Sequence, residues 1–385
     1  MRIAIMGGRG IPANYGGFET LMEELSANLV ARGHEVSVYC RVPHIGYAGT
    51  QYRGVRLVKL PTIRHKHLDT LVHTTLSAVH ALGQNYDLVL MVIAGNSLVS
   101  WIPRLAGQKV VLHVDGMDWK RAKWGRWAKR YIQACERLAL TLPTHFITDS
   151  TVVSAYYQNR FHRTPDAVIA YGADIGPLPA GETLAQFGLT PRRYILFVGR
   201  LVPENCVHHL VEACRSLDSG FRCVVVGDAP YEQAYIEHLH RLAGPATVFT
   251  GYVFGKGYRE LCSNAYAFVE PSEVGGTHPA LLEAMALGNC VVANGIPENR
   301  EAMGDAGLVY DGSQGAESLK QVLDQLLASP ATVEKYRLRA QQHAHQHYRW
   351  EHITDQYEAL FARVLGGTLA PATPDSPARY HVGSR

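Results

Sequence analysis

The sequence predicts an α/β protein built from two doubly wound domains that face each other across a cleft. Short β-branched runs alternate with amphipathic stretches, the alternation pauses at a turn-rich segment, and a second full series then begins. At 385 residues the chain is long enough for two such units.

Arg2–Met6 reads as the first strand, and Thr20–Ala31 as a helix with Leu21, Leu25 and Leu29 on one face. Gly33-His34 punctuates its end and Glu35–Cys40 is the next strand. Leu57–Leu60, Leu88–Ile93, Val110–Val114 and Phe146–Thr148 follow as strands with helices between them. Tyr171–Pro179 is rich in turn formers and reads as a hinge. The second series starts at Tyr194–Val198 and continues with a helix over Cys206–Leu217, a strand at Cys223–Val226 and a helix over Glu232–Ala243. Strands near Val248 and Phe268, a helix at Ala280–Leu287 and a strand at Cys290–Ala293 complete it. Ala331–Leu365 is helical with a break near His347–Arg349. The expected limits are a first domain over 1–175, a second over 176–347, a C-terminal helix over 348–366 and a disordered tail over 367–385.

Hydrophobic residues form 47% of the chain and charged residues 18%, which excludes a disordered, solvated polymer. Thirty-seven Lys and Arg stand against 34 Asp and Glu, so no global charge asks for nucleic acid. The seven cysteines form no C-x-x-C pair, and the apolar start breaks at Gly7-Gly8 before a leader segment forms. These features lead to the expectation of a cytoplasmic protein.

In doubly wound sheets ligands sit beyond the carboxyl ends of the strands, so motifs that follow strands carry the most information. Gly7-Gly8-Arg9-Gly10 through Gly16-Gly17-Phe18-Glu19 follows the first strand, where glycines let backbone amides approach a phosphate or sugar. Gly8-x-Gly10-x-x-Ala13 superficially matches a dinucleotide fingerprint, but the second strand ends in Tyr39-Cys40-Arg41 rather than an acid. Asp115-Gly116 follows the Val110–Val114 strand as a cleft residue, and Asp118 fits the cap of a helix starting near Trp119. Lys120, Arg121, Lys123, Trp124, Arg126 and Trp127 lie in a segment of cations and aromatics, with Trp124, Trp127 and Tyr131 at helical spacing. That segment suits an anionic membrane surface or an acceptor surface; a buried aromatic stripe with a solvated basic face is the alternative. Arg200 follows the first strand of the second series and offers planar donors to phosphate oxygens. Pro279 marks a helix start, so the Gly276, Thr277 and His278 amides are expected to take a diphosphate, and Glu283, one turn inward, to accept ribose hydroxyls. His208-His209, His65-Lys-His67 and the histidines at 343, 345 and 347 lack a metal-ligand pattern, and no D-x-D occurs, so neither a metal nor another cofactor is expected.

Arg9-Gly-Ile-Pro-Ala-Asn-Tyr-Gly-Gly-Phe-Glu19, Asp115-Gly-Met-Asp-Trp-Lys-Arg-Ala-Lys-Trp124, Tyr171-Gly-Ala-Asp174, Val202-Pro-Glu-Asn205 and Gly275-Gly-Thr-His-Pro-Ala-Leu-Leu-Glu283 occur in this order. Together they resemble the retaining family-4 glycosyltransferases of the two-Rossmann (GT-B) fold, and most closely the bacterial rhamnosyltransferases of surface polysaccharide assembly. The resemblance implies two Rossmann-like domains, with the C-terminal helices returning to the first. It also implies Asp115, Arg200 and Glu204 as catalytic residues, and Gly16, Gly17, Asn205, Gly275, Gly276, Thr277, His278 and Glu283 as donor-binding ones. The implied reaction moves L-rhamnose from dTDP-β-L-rhamnose to a glycan or polyprenyl-diphosphate-linked acceptor. UDP-glucose, UDP-GlcNAc or GDP-mannose as donor, or a non-catalytic sugar-nucleotide-binding protein, are the alternatives. The wider family carries Lys where this chain has Asn205 and Glu where it has Gly275.

Overall fold

The computed structural model describes residues 1–366 apart from 14, 15, 64, 66, 67, 122, 123, 174, 218 and 219. Lys123, Asp174, His67 and the expected tail over 367–385 therefore lie outside the described residues.

The first domain runs β1 (Arg2–Met6), α1 (Gly17–Ala31), β2 (Glu35–Arg41), β3 (Gln51–Tyr52), β4 (Val55–Leu60) and α2 (Asp69–Leu82). It continues with β5 (Leu88–Val92), β6 (Lys109–Val114), α3 (Arg126–Leu138), β7 (His145–Thr148), α4 (Thr151–Phe161) and β8 (Ala167–Val168). The second runs α5 (Glu182–Gln186), β9 (Tyr194–Val198), α6 (Val207–Arg215), β10 (Arg222–Val226), α7 (Gln233–Leu242), β11 (Thr247–Gly251) and α8 (Gly255–Asn264). Then come β12 (Ala267–Glu270), α9 (Pro279–Ala286), β13 (Cys290–Asn294), α10 (Pro297–Met303), β14 (Leu308–Tyr310), α11 (Ala316–Ala328), α12 (Pro330–His347) and α13 (Trp350–Val364).

The first sheet has strand order β3-β4-β2-β1-β5-β6-β7-β8 and the second β11-β10-β9-β12-β13-β14. Every pairing is parallel except the β3–β4 edge ribbon. The central strands are apolar on both faces, as sheets covered by helices on both sides require: Ile3, Ala4, Ile5 and Met6 in β1, and Ile195, Leu196 and Phe197 in β9, are all buried. In both sheets the strand order reverses beside the first strand of its series, and the loops after β1 and β9 open at those switch points.

The chain then returns to the first domain. Tyr357 on α13 pairs its hydroxyl with Nδ1 of the buried His113 in β6 at 3.0 Å, Arg32 at the end of α1 pairs with Asp355 and Glu358, and the Ala173 amide donates to the Tyr348 carbonyl. Burial without a counter-charge pushes the His113 imidazole down to about 3, so this contact is a neutral one. Among the described residues no helix is long and apolar enough to cross a membrane.

Candidate active site

The loop after β1 is shaped by close approach. Gly7 has φ +110°, and a side chain there would meet the Val92 carbonyl at 2.5 Å. The buried Arg41 donates from Nη2 to the Gly7 carbonyl at 2.9 Å and pairs with Asp69 at 3.2 Å. A cation thus closes the end of β2, where a dinucleotide site needs an acid. The loop's own amides are held by carboxylates: Glu19 accepts from Arg9 N–H at 2.9 Å and Glu23 from Ala13 N–H at 2.6 Å. Gly16 is the extended residue ahead of α1. Gly17 faces the other domain, where an added Cβ would lie 2.7 Å from Pro279 Cγ.

Two acids form the floor of the cleft. Asp115 follows β6, and its Oδ1 accepts from the Gly116 amide at 2.6 Å. Asp149 follows β7, is buried, and accepts the Thr277 N–H on Oδ2 at 2.7 Å, while its Oδ1 has no partner. The Thr277 amide is therefore already engaged across the cleft, which corrects the expectation that the amides at the α9 start are all open. A side chain at Gly276 would start 2.4 Å from both Asp115 Oδ1 and Asp149 Oδ2, and one at Gly116 only 2.5 Å from the Gly276 nitrogen. Only glycines let the two domains meet here. Burial, then Asp118, raises the Asp115 carboxyl; burial, then Asp115, holds Asp149 well above the usual carboxylate range.

The second domain brings its own groups. Arg200 lies in the loop after β9, and its carbonyl accepts Asn205 Nδ2–H at 2.9 Å, so Asn205 braces this loop. Glu204 is buried with neither carboxylate oxygen hydrogen-bonded. Asn299 donates to the Asn294 carbonyl at 3.0 Å, so its oxygen faces His278 Nδ1 at 2.9 Å and fixes the proton on that nitrogen. His278 Nε2 then lies over Gly275, 2.2 Å from where a Cβ would stand. The imidazole fills the space that a glutamate at 275 would need. Glu283 on α9 accepts from the Tyr258 hydroxyl, and burial pushes its carboxyl up to about 7.

The cation-rich segment departs from expectation. Asp118–Lys120 is a single 3-10 turn and α3 starts only at Arg126, so Asp118 caps no α-helix and Trp124 precedes the helix that carries Trp127 and Tyr131. Asp118 instead binds Arg121 Nε at 2.7 Å. Arg121 is not on the outer surface: its side chain is 12% exposed and within charge range of Asp115 and Glu204. Lys120, Arg126 and Trp127 do face outward.

Residues 192–329 match the family described as glycosyl transferases group 1, and residues 1–174 match a domain of unknown function, DUF1972. Over residues 192–329 the chain thus matches the group 1 glycosyltransferase family, and its fold is that of GT-B glycosyltransferase structures. The alpha-maltose-1-phosphate synthase of Mycobacterium tuberculosis is 30% identical over 205 residues, which are 49% of this chain and 53% of that protein; the chain spans about half the length of this relative. An uncharacterized glycosyltransferase of Methanocaldococcus jannaschii, MJ1607, is 23% identical over 92% of this chain and 96% of its own. Among solved structures, the sucrose-phosphate synthase of Thermosynechococcus elongatus superposes with a TM-score of 0.81 at 21% identity, over 95% of this chain and 99% of that one. HepE of Anabaena in complex with UDP-glucose superposes with a TM-score of 0.75 at 17% identity, over 94% and 100%.

Two features of the cleft were not foreseen from the sequence. Asp149 follows β7 just as Asp115 follows β6, and that strand-then-acid signal could have found it. The reciprocal contact could not be read from the sequence: Glu301 on α10 accepts from the Thr151 and Val152 amides at the start of α4, at 2.6 and 2.9 Å. Each domain thus lends a carboxylate to a helix N-terminus of the other. Cys206, His208 and His209 bring ligand-type atoms within 4.8 Å of one another. The Nδ1 atoms of both histidines face the hydroxyls of Tyr235 and Tyr310, however, and burial pushes the Cys206 thiol up to about 12.

Proposed function

We propose that the chain transfers a deoxyhexose, L-rhamnose from dTDP-β-L-rhamnose, to a hydroxyl of a lipid-linked or nascent surface glycan, without a metal ion and with retention of configuration. The observation that carries the transfer reading is the cleft itself: Asp115 of the first domain stands against the N-terminus of α9 in the second, with the Arg200 loop in the same domain as α9. Cleavage of the donor C1–O bond leaves a nucleoside diphosphate and an electron-poor sugar. In this reading Arg200, the Gly276 and His278 amides ahead of α9 and the helix dipole meet the leaving-group charge. Asp115 orients the incoming hydroxyl, whose proton passes to the leaving phosphate on the same face. Glu204, buried and without a hydrogen-bond partner, is available to the sugar, and Glu283 to the ribose. Gly275 offers no carboxylate, and no covalent sugar–enzyme bond is invoked.

The sugar rests on the signature strings that resemble rhamnosyltransferases. UDP-glucose is the second reading, favoured by the likeness to HepE, which binds it. The acceptor reading rests on the outer face of the first domain. Trp127 is 73% exposed with Arg126 and Arg130 over its ring, and Trp101 and Leu105 are exposed on the same domain. Cations flanking exposed aromatics suit an anionic leaflet, placing the enzyme on the inner face of the plasma membrane in the cytoplasm. Salt-sensitive co-sedimentation with anionic vesicles is expected, and its absence at low salt leaves a soluble acceptor.

The deciding experiment is a thermal-shift panel of sugar nucleotides followed by turnover with the best stabiliser. dTDP-rhamnose is expected to stabilise most and to release dTDP. Stabilisation by none of the panel overturns the donor reading, and stabilisation by UDP-glucose alone transfers it to the second one.

A further inference from the structure

Arg121 carries an inference that rests on the donor reading and goes beyond it. Its side chain is 12% exposed, on the short segment that follows Asp115-Gly116, and lies within charge range of cleft acids from both domains, Asp115 and Glu204. Among the described residues only its Nε is hydrogen-bonded, to Asp118 Oδ1 at 2.7 Å, and the Nη groups have no partner there. Burial opposes the charge, and Asp118, Asp115 and Glu204 together more than restore it, so the guanidinium is held firmly cationic. Glu204 stands within range of that charge but does not pair with it, and it belongs to the loop that starts at Arg200. Asp115, the other acid within range, reaches to within 2.4 Å of the side-chain position at Gly276, next to the α9 amides. A planar fork of N–H groups, largely desolvated, fixed at Nε and within charge range of Asp115 beside α9 and of Glu204 in the Arg200 loop, is suited to bind two oxygens of one phosphate.

We propose that Arg121 is a catalytic residue that grips the donor's diphosphate from the first domain, adding a second arginine to Arg200 across the cleft. It then stabilises the charge that grows on the leaving phosphate as the sugar–oxygen bond breaks. Because Asp118 holds Nε, the fork is oriented before the donor arrives, and it reaches the donor only when the domains are closed. The expected signature is therefore a loss that falls more heavily on transfer than on nucleotide affinity.

The test uses the full chain, dTDP and UDP as probes, and the variants Arg121→Ala and Arg121→Lys. Arg121→Ala should bind nucleoside diphosphate roughly tenfold more weakly and transfer ~10²–10³ more slowly. Added guanidinium should restore part of the transfer, whereas Arg121→Lys, with one point charge in place of a fork, should remain impaired. Affinity and turnover within a few-fold of the parent in Arg121→Ala overturn the proposal. So does a folded Arg121→Ala whose lost turnover guanidinium does not restore, or an Arg121→Lys that is fully active. If Arg121→Ala fails to fold, full activity in Arg121→Lys decides against the proposal. A parent chain that binds neither nucleotide fails the donor reading itself, an outcome distinct from these.

Discussion

A single methyl group at Gly116 tests whether the closed cleft is the working one. Gly116 does not adopt a positive φ, so alanine there brings no backbone strain. Its Cβ would sit 2.5 Å from the Gly276 nitrogen and 2.6 Å from the Gly275 carbonyl carbon and oxygen, where ordinary contact begins at 3.4 Å. All three atoms are backbone of the opposite domain and cannot swing aside, so the methyl must hold the domains apart by roughly 1 Å. A misplacement of about 1 Å between reacting groups costs ~10²-fold in rate. Gly116→Ala should therefore slow transfer about a hundredfold, in an assay following nucleoside diphosphate release and glycosylated product together. Nucleotide affinity, which the proposed reading assigns mainly to the second domain, should stay within a few-fold, and the melting temperature should barely move, because no intradomain core contact is lost. Transfer at the parent rate in Gly116→Ala would refute the reasoning that Asp115 acts at this separation from α9.

Arg200→Ala should lower transfer ~10²–10³-fold through loss of one preorganised phosphate donor, read from kcat/KM with the preferred sugar nucleotide. Glu283, raised by burial to about 7, accepts ribose hydroxyls best when ionised. Nucleotide affinity in the parent should therefore rise between pH 6 and pH 8, and titration calorimetry of Glu283→Gln should show that rise flattened. Glu136 is buried, accepts from Tyr156 at 2.8 Å and is pushed by burial up to about 7 from 4.5. A folded-state value above the unfolded one means that this group's contribution is intact below pH 4.5 and is lost as pH rises through 7, by about 3 kcal/mol. Denaturant unfolding of Glu136→Gln should lack that part of the decline.

The fold was legible because each sheet is buried on both faces: short apolar runs such as Leu88–Val92 and Cys290–Ala293, bounded by turn residues, read as interior strands. The edges were less legible. β3 and β8 are two-residue strands, and β14 is three residues long with only Tyr310 buried, so none carries a periodic signal. Helix α1 starts at Gly17, three residues before the expected Thr20, because close approach to Pro279 rather than helix propensity fixes glycine there. In the site, Asp115 was readable from its place after a strand. Asp149 has the same place after β7, but its role depends on the Thr277 amide brought against it from the other domain, which the sequence does not show. Arg121 was read by composition with its cationic neighbours, yet its pairing with Asp118 turns it inward, and only the tertiary arrangement reveals that. Gly275 looked like a lost acid; the reason for the glycine, the His278 imidazole lying over it, depends on the buried Asn294–Asn299 hydrogen bond that fixes the ring.

The central claim is that this cleft moves a sugar from a nucleoside diphosphate to a hydroxyl, with the α9 start and the Arg200 loop holding the diphosphate. The most direct measurement is incubation of the full chain with dTDP-β-L-rhamnose and a lipid-diphosphate-linked glycan in the presence of EDTA. dTDP is quantified, and the product's anomeric configuration is read by NMR. The account predicts stoichiometric dTDP and rhamnosylated product with the donor's configuration kept. Release of no nucleoside diphosphate from this or any other sugar nucleotide would contradict it.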